Sequence, residues 1–467
     1  MSTIVFRDVV VLLPGIMGSV LARRNPKKPG EFSDVWNFSG SAIWGAVQTL
    51  GGSITDLSLA NDDDDDGIEA IALVSDVTII PRLWKIDGYT KVADYLVGRL
   101  GLERGKNFFT FAYDWRRDNR LAADLLATRA MDWLRAWQES SGAGDAKLVL
   151  VGHSMGGLVA RYFIEKLGGW KHTRLLFTFG TPHRGSLNAV DFIEHGLRKG
   201  IGRFALDLTG LVRNFTSVYQ LLPTYECIDP GARAFEKVTA AAANGRLPNT
   251  DERRAAAALS FHDEIRDAQA ANAQMDAYRQ SGCRTVPIVG IEQPTLQSAR
   301  ACGGEVVALQ TFDGEDMGGD GTVPRVSATP LELSRAEAEI YAAQRHGSLQ
   351  NEDGVLANVR GVLTRPDLDL RRFRAEVGVT LSLAIEDAVV EGEPAVIRVR
   401  PSEGNPRLMA TLTDIGTGAE MHEPLGRGVD GWQEVAFDLA RGAYRVQVSG
   451  DGQVQPVSDL FVVTDAG

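Results

Sequence analysis

The sequence predicts an α/β fold with a mostly parallel central sheet and a helical cap insertion, followed by an all-β, immunoglobulin-like sandwich. Three observations predict it. Short β-branched and aromatic runs alternate with helical patterns over the first half, the signature of a parallel sheet covered by helices. Alanine-rich helical sequence then interrupts the alternation from about Asn188 to Cys283, too long for a plain connection. Past residue 375 only period-2 runs separated by turn residues remain.

The strand candidates of the first part are Asp8–Leu13, Asn107–Tyr113, Lys147–Val151, Leu175–Gly180, Thr285–Gly290 and Val306–Phe312. Between them lie the helix candidates Tyr89–Leu100, Leu121–Ser140 and Gly157–Leu167. The start, MSTIVFRDVVVLLPG, carries Arg7 and Asp8 inside its apolar run and lacks a basic opening, so it reads as a first strand, not a signal peptide. The first part of the core spans residues 1–187, with lid-like loops at 25–65, and the second part spans 285–362. The insertion, 188–284, reads either as a cap or as a layer burying one face of the sheet. LTRPDLDLRRFRAE, Leu363 to Glu376, is charged and proline-containing, as linkers are, and the sandwich occupies 375–467 with strands in VTLSLAI, AVIRVRP, LMATLTDI, EVAFDLA, AYRVQVSG and DLFVV.

A chain of 467 residues exceeds one hydrophobic core, in line with this division. Acids outnumber bases 61 to 49, a net charge of -12, which argues against nucleic acid as a partner. The same balance gives no long-range attraction to anionic membranes, so lipid contact would be apolar and local. Three cysteines, Cys227, Cys283 and Cys302, make no disulfide framework and fit a reducing, cytoplasmic setting. No run approaches the roughly 20 apolar residues that span a bilayer. Asp62 to Asp66, in NDDDDDG, lacks the spacing of a calcium loop and reads as a solvated charged loop; Cys and His show no zinc spacing. No metal or cofactor is expected.

The chemistry centres on VLVGHSMGGLVARYFIEK, Val149 to Lys166. A buried-strand run, the turn Gly152-His153-Ser154-Met155-Gly156 and an amphipathic helix follow one another, which is the setting of the G-x-S-x-G nucleophile elbow of α/β-hydrolases. The plain alternative is a small-residue turn with an idle serine. A serine nucleophile requires a base, a group orienting that base, and donors for the oxyanion. In this fold type the chain order is serine, acid, histidine. Of seven histidines, His346 is the one after the late strands and before the linker; His153 lies inside the turn and should point away, and His422 falls in the sandwich. The acid-rich loop DGEDMGGDGTVP offers Asp313, Glu315, Asp316 and Asp320; Asp320, between glycines and before Thr322-Val323-Pro324, is favoured, with Asp316 as runner-up. Met155, after the serine, and Ile16, in the turn Pro14-Gly15-Ile16-Met17-Gly18 after the first strand, are the candidate oxyanion donors.

PGIMGS, FAYDWR, GHSMGG, FGTPHRGS, SVYQLLP and GGDGTVP together resemble, in order, the landmarks of the lecithin:cholesterol acyltransferase-like and lysosomal phospholipase A-like α/β-hydrolases, over roughly residues 8 to 350. The resemblance implies Ser154, Asp320 and His346 as triad and Met155 and Ile16 as oxyanion donors. Secreted members carry a disulfide-bounded lid near the N-terminus, yet no cysteine precedes Cys227 here; EFSDVWNFSGSAIWG instead offers Trp36 and Trp44, as an aromatic lid or as packing. The family's lysosomal phospholipase has an acid where Ile16 stands, so its acidic-pH habit does not transfer. The resemblance does not extend to the sandwich.

The expected activity is a serine esterase or lipase of phospholipase or acyltransferase type. The alternatives are a non-lipid esterase, thioesterase or amidase, or a binding or scaffold protein with a vestigial hydrolase domain. Phe215, Tyr219 and Leu222 are candidates to line the acyl pocket, or plain core. The expected partners are a lipid or other acyl-ester substrate, a transient membrane contact, and a protein or carbohydrate partner for the sandwich.

Overall fold

A computed structural model describes residues 6–28, 30–37, 57–59, 61–75, 78–80, 84–196, 198–199, 206–207, 209–231, 234–334, 339–364, 378–452 and 454–464. Trp44 and most of the linker lie outside the described residues.

The central sheet has six strands, β1 (Val9–Leu13), β2 (Phe108–Thr110), β3 (Leu148–His153), β4 (Thr173–Phe179), β5 (Arg284–Gly290) and β6 (Ile340–Ala342). Their order across the sheet is β6-β5-β4-β3-β1-β2, and every pairing is parallel. Sequences buried on both faces need continuous apolar character, and VVVLL of β1 and LVLVGH of β3 are buried at every position. The chain runs outward from β1 to β2, then returns to the other side of β1 with β3. Strand order therefore reverses between β1 and β3, and the crevice at the carboxyl ends of such neighbours is where open parallel sheets place ligands.

Helices α1 (Thr90–Leu100), α2 (Asn119–Ser141) and α3 (Met155–Glu165) connect the early strands. Asp118 starts α2 by accepting the Arg120 N–H at 2.8 Å, a side-chain N-cap. All of α3 is buried, because α2 lies beside it and a long helix of the insertion, α4 (Glu252–Ala273), covers its outer side. Tyr162 of α3 and Phe261 of α4 stack with centroids 5.5 Å apart. That half of the insertion buries the back of α3. The shorter helices Leu187–His195, Thr209–Asn214 and Thr216–Tyr219 belong to the half that approaches the crevice.

Three expectations need correction. Val306–Phe312 is no central strand: Glu305–Leu309 turns back antiparallel onto Ser298–Cys302 in a separate three-stranded sheet with Ile228–Asp229, and Ile340–Ala342 takes the sixth central place. The reason is local. Gly303 and Gly304 adopt φ of 65° and 84°, the two left-handed positions of a tight hairpin turn, and the strand is only half-buried, unlike a central one. Residues 25–65 are not all loop, since Phe32–Trp36 pairs with Ser19–Arg24, which in turn pairs with Ile68–Leu73. The acidic run is not simply solvated. Asp66 pairs with buried Arg116 at 2.9 Å and with Arg117 at 3.0 Å, while Asp62 accepts the Asp118 N–H at 3.1 Å and the Thr216 hydroxyl at 2.5 Å.

The C-terminal part forms two sheets. One has the strands Leu381–Ala384, Ala395–Pro401, Gln433–Phe437 and Gly426–Arg427, the other Ala388–Val390, Val457–Thr464, Gly442–Gly450, Leu408–Asp414 and Glu420–Pro424. AVIRVRP alternates buried and exposed along its length, as one solvated face requires. Leu381, Ile397 and Val399 of the first sheet share one apolar cluster with Leu412, Val446 and Phe461 of the second.

Candidate active site

Ser154 stands between β3 and α3 with φ 52° and ψ -125°, a backbone state that costs a non-glycine residue about 1–3 kcal/mol. Its N–H donates to the Phe179 carbonyl at 2.8 Å and its carbonyl accepts the Gly157 N–H at 3.0 Å, so the β4 end and the first turn of α3 hold the strain. Glycine at 156 is required by a close approach: a Cβ there would stand 2.4 Å from the Pro14 carbonyl oxygen. The turn at Ser154 and the loop after β1 are thereby in backbone contact.

The loop after β1 is braced from three sides. Tyr113 donates its hydroxyl to the Pro14 carbonyl at 2.8 Å, Trp36 donates its indole N–H to Met17 at 3.1 Å, and the Gly15 N–H donates to the Tyr89 hydroxyl at 2.7 Å. Tyr89 must then give its own proton to His153 Nδ1, 3.0 Å away, which leaves His153 Nε2 to donate to the His346 carbonyl at 3.1 Å. This relay assigns the His153 tautomer. Burial, with nearby His346, pulls the His153 imidazole down to about 3, so it stays neutral; burial pushes the Tyr89 phenol up, so it stays a donor.

His346 follows β6 and Asp320 lies in the glycine-rich loop. His346 Nδ1 meets Asp320 Oδ2 at 2.7 Å, and the His346 N–H donates to the Asp320 carbonyl at 2.8 Å. Asp320 Oδ1 accepts the N–H groups of Thr322 at 2.9 Å and Val323 at 2.7 Å, so the carboxylate, 1% exposed, is held at both oxygens. Asp316 instead accepts from Gln297 Nε2 at 2.6 Å and from the Gly318 N–H at 2.9 Å. Of the two acids only Asp320 touches His346. Gly180, at the end of β4, sits under the pair: a Cβ would be 2.7 Å from Asp320 Oδ2 and 2.9 Å from His346 Nδ1.

A pocket opens at Ser154, lined by Ile16, Met17, Ala189, Phe192, Val212, Val218 and Leu221 among others. Its walls are mostly apolar, which suits a hydrocarbon chain. Met155 is the first residue of α3, where backbone N–H groups lack intrahelical partners, and Ile16 lines the cavity with Ser154. The four described candidate substrate-binding residues fall elsewhere. Trp36 is buried edge-on against Trp115 at 5.1 Å, and Phe215 meets the same ring at 5.7 Å. Tyr219 and Leu222 line a separate small pocket with Lys237 and Ala255. Val218 and Leu221, each one position earlier, face Ser154's cavity, since neighbouring residues in a helical turn point about 100° apart. Tyr89 and His153 as loop braces were not legible, because their partners lie 74 and 193 residues away. Among the described residues no cluster of His, Cys, Asp and Glu could hold a metal.

Residues 64–279 match the family model described as lecithin:cholesterol acyltransferase. The chain is 27% identical over 211 residues to phospholipase A(1) LCAT3 of Arabidopsis thaliana, covering 40% of this chain and 46% of that protein. It is also 27% identical over 236 residues to lecithin-cholesterol acyltransferase-like 4 of the same plant, covering 46% and 42%. The chain thus spans under half the length of either curated relative. Among solved structures, the mature Bacillus licheniformis lipase BlEst2 aligns over 77% of this chain and 92% of its own at 11% identity and a TM-score of 0.33, too low to argue from. The matched region runs from the acidic loop through Ser154 into the insertion, so this part of the chain is similar to the lecithin:cholesterol acyltransferase-like proteins.

Proposed function

We propose that the protein is a serine esterase of phospholipase or acyltransferase type that cleaves lipid acyl esters through an acyl-enzyme at Ser154. The observation that carries this reading is the 2.7 Å contact of His346 with buried Asp320, together with a strained serine that opens into an apolar cavity and follows His153, whose ring centroid is 5.0 Å from that of His346. Ser154 Oγ attacks the ester carbonyl while His346, its Nδ1 proton directed at Asp320, takes the serine proton on Nε2. Asp320 fixes that tautomer and stabilises the imidazolium. The N–H groups of Met155 and Ile16 receive the oxyanion, and the helix N-terminus adds a favourable field there. His346 then returns the proton to the departing alcohol. Water completes hydrolysis; a second alcohol completes transfer.

Lipid specificity is supported by the apolar cavity and by the phospholipase and acyltransferase names of the relatives. The same triad would serve thioesters or amides, so the test is turnover on a lipid panel followed by mass spectrometry, with and without an alcohol acceptor. Ser154→Ala is expected to lose activity by several orders of magnitude while keeping the wild-type melting temperature, and to lose labelling by a fluorophosphonate probe. Unchanged turnover in Ser154→Ala would remove the nucleophile assignment. An unlabelled wild-type protein would favour the vestigial, scaffold reading. A transient membrane contact, an immunoglobulin-like accessory role for the C-terminal sheets and a cytoplasmic setting complete the proposal; three free cysteines support the last.

A further inference from the structure

The C-terminal sheets reach into the α/β unit at one buried carboxylate. Asp459, on Val457–Thr464, is 2% exposed. Its Oδ2 accepts from Lys85 Nζ at 2.7 Å and lies 3.4 Å from Arg345 Nε, while Oδ1 accepts the Leu460 N–H at 2.8 Å. A carboxylate this deep costs several kcal/mol unless paired, and both of these cations belong to the α/β unit. Arg345 directly precedes His346. Its guanidinium also donates to the Leu383 carbonyl and lies against Gly321, the residue after Asp320, where a Cβ would stand 2.8 Å from a guanidinium nitrogen. Gln344 Oε1 accepts the N–H of Ser458 at 3.0 Å and that of Arg345 at 2.9 Å.

The other side of His346 is held as well. The Lys85 carbonyl abuts Gly347, where a Cβ would stand 1.9 Å from it, and the Asp87 N–H donates to the Gly347 carbonyl at 2.9 Å. Lys85 pairs with Asp387 at 2.8 Å, and Asp87 pairs with Arg445. On the acid's side, Gln293 is 2% exposed and caps the strand Leu381–Ala384 with its carboxamide: Nε2 donates to Leu381 O at 2.9 Å and Oε1 accepts the Leu383 N–H at 3.1 Å. The Gln293 backbone N–H donates to Gly319 O at 2.9 Å, and residue 293 forms a parallel bridge with Asp320. The neighbours of His346 and of Asp320 are therefore tied to residues 381–459, directly or through one side chain.

We propose that the C-terminal sheets are a working part of the active site, with Asp459, Arg345 and Gln293 as positioning residues that fix the loops carrying His346 and Asp320. This rests on the triad reading above. Displacing a reacting group by about 1 Å costs on the order of 100-fold in rate, so loosening these loops is a defect of turnover rather than of substrate binding. The test uses the full-length protein and a soluble p-nitrophenyl ester, with kcat, KM, melting temperature and fluorophosphonate labelling rate measured for Asp459→Asn, Arg345→Ala and Arg345→Lys. Asp459→Asn and Arg345→Ala are expected to lose roughly 10- to 100-fold in kcat and in labelling rate with KM within about twofold. Arg345→Lys, which keeps the cation beside Asp459, should recover most of the loss. Folded Asp459→Asn and Arg345→Ala proteins with wild-type kcat overturn the proposal. Should Asp459→Asn not fold, the Arg345 pair decides alone: a loss in Arg345→Ala that Arg345→Lys does not relieve counts against positioning. Fluorophosphonate labelling that survives in Ser154→Ala overturns the triad reading, and this inference with it.

Discussion

Gly180 concentrates the site's geometry in one residue. It has φ 54°, in the left-handed region, and the space where its side chain would stand is taken by the Asp320–His346 contact. Gly180→Ala is expected to lower kcat on the order of 100-fold and to destabilise the fold by about 1–3 kcal/mol, measured by ester turnover and urea denaturation. A variant with wild-type turnover would mean that the pair can move without loss. At this scale the sequence was informative about chemistry and silent about contact. Ser154 was legible from the strand, turn and helix around it, and His346 from chain order. Asp320 could be preferred over Asp316 only on its glycine neighbours, whereas the bonds that separate them run to residues 26 and 19 positions away.

Each element at the crevice is held by a neighbour from another part of the chain. The loop after β1 has its Gly15 N–H satisfied by Tyr89, at the start of α1, and that hydroxyl links through His153 to the His346 backbone. Tyr89→Phe leaves a buried N–H without its acceptor and cuts the relay, at a cost of about 1–3 kcal/mol. The expected outcome is a kcat reduced about tenfold or more with KM little changed, because the loop after β1, which carries the proposed oxyanion donor Ile16, loosens while the apolar cavity stays. Equal kinetics for the two proteins would show that the loop is held by Tyr113 and Trp36 alone. Strands with continuous apolar character and helices with clear periodicity were legible, because burial on both faces or on one stripe writes itself into the local pattern. Glu305–Leu309 was misplaced for the converse reason: a short β-branched run carries no mark of which sheet it joins.

Across the whole molecule, burial of neutral histidines makes stability depend on pH near neutrality. His153, His172, His183 and His262 all have depressed imidazole pKa values, in each case chiefly because burial disfavours the cation. Below about pH 6.5 the unfolded chain binds protons at these sites that the folded protein does not, so stability falls as pH falls through that window. His195 acts in the opposite sense: partial burial disfavours its cation, but Asp191 and the Val306 carbonyl outweigh that and raise its pKa. Four against one, the midpoint of urea denaturation is expected to drop between pH 7 and 5, and to drop less steeply in His262→Gln. A midpoint independent of pH over that range would mean that the buried imidazoles take up protons without unfolding.

By itself the sequence determined the order of strands, turn and helix around Ser154, the helical insertion, the alternating strands of the C-terminal part and a family resemblance, because each is written in residues close together in the chain. The tertiary structure decided which acid meets His346, which face of the turn after Phe215 lines the cavity, and that Asp459 enters the α/β unit. Those depend on hydrogen bonds and ion pairs between residues as much as 374 positions apart, and no local pattern records a partner at that distance.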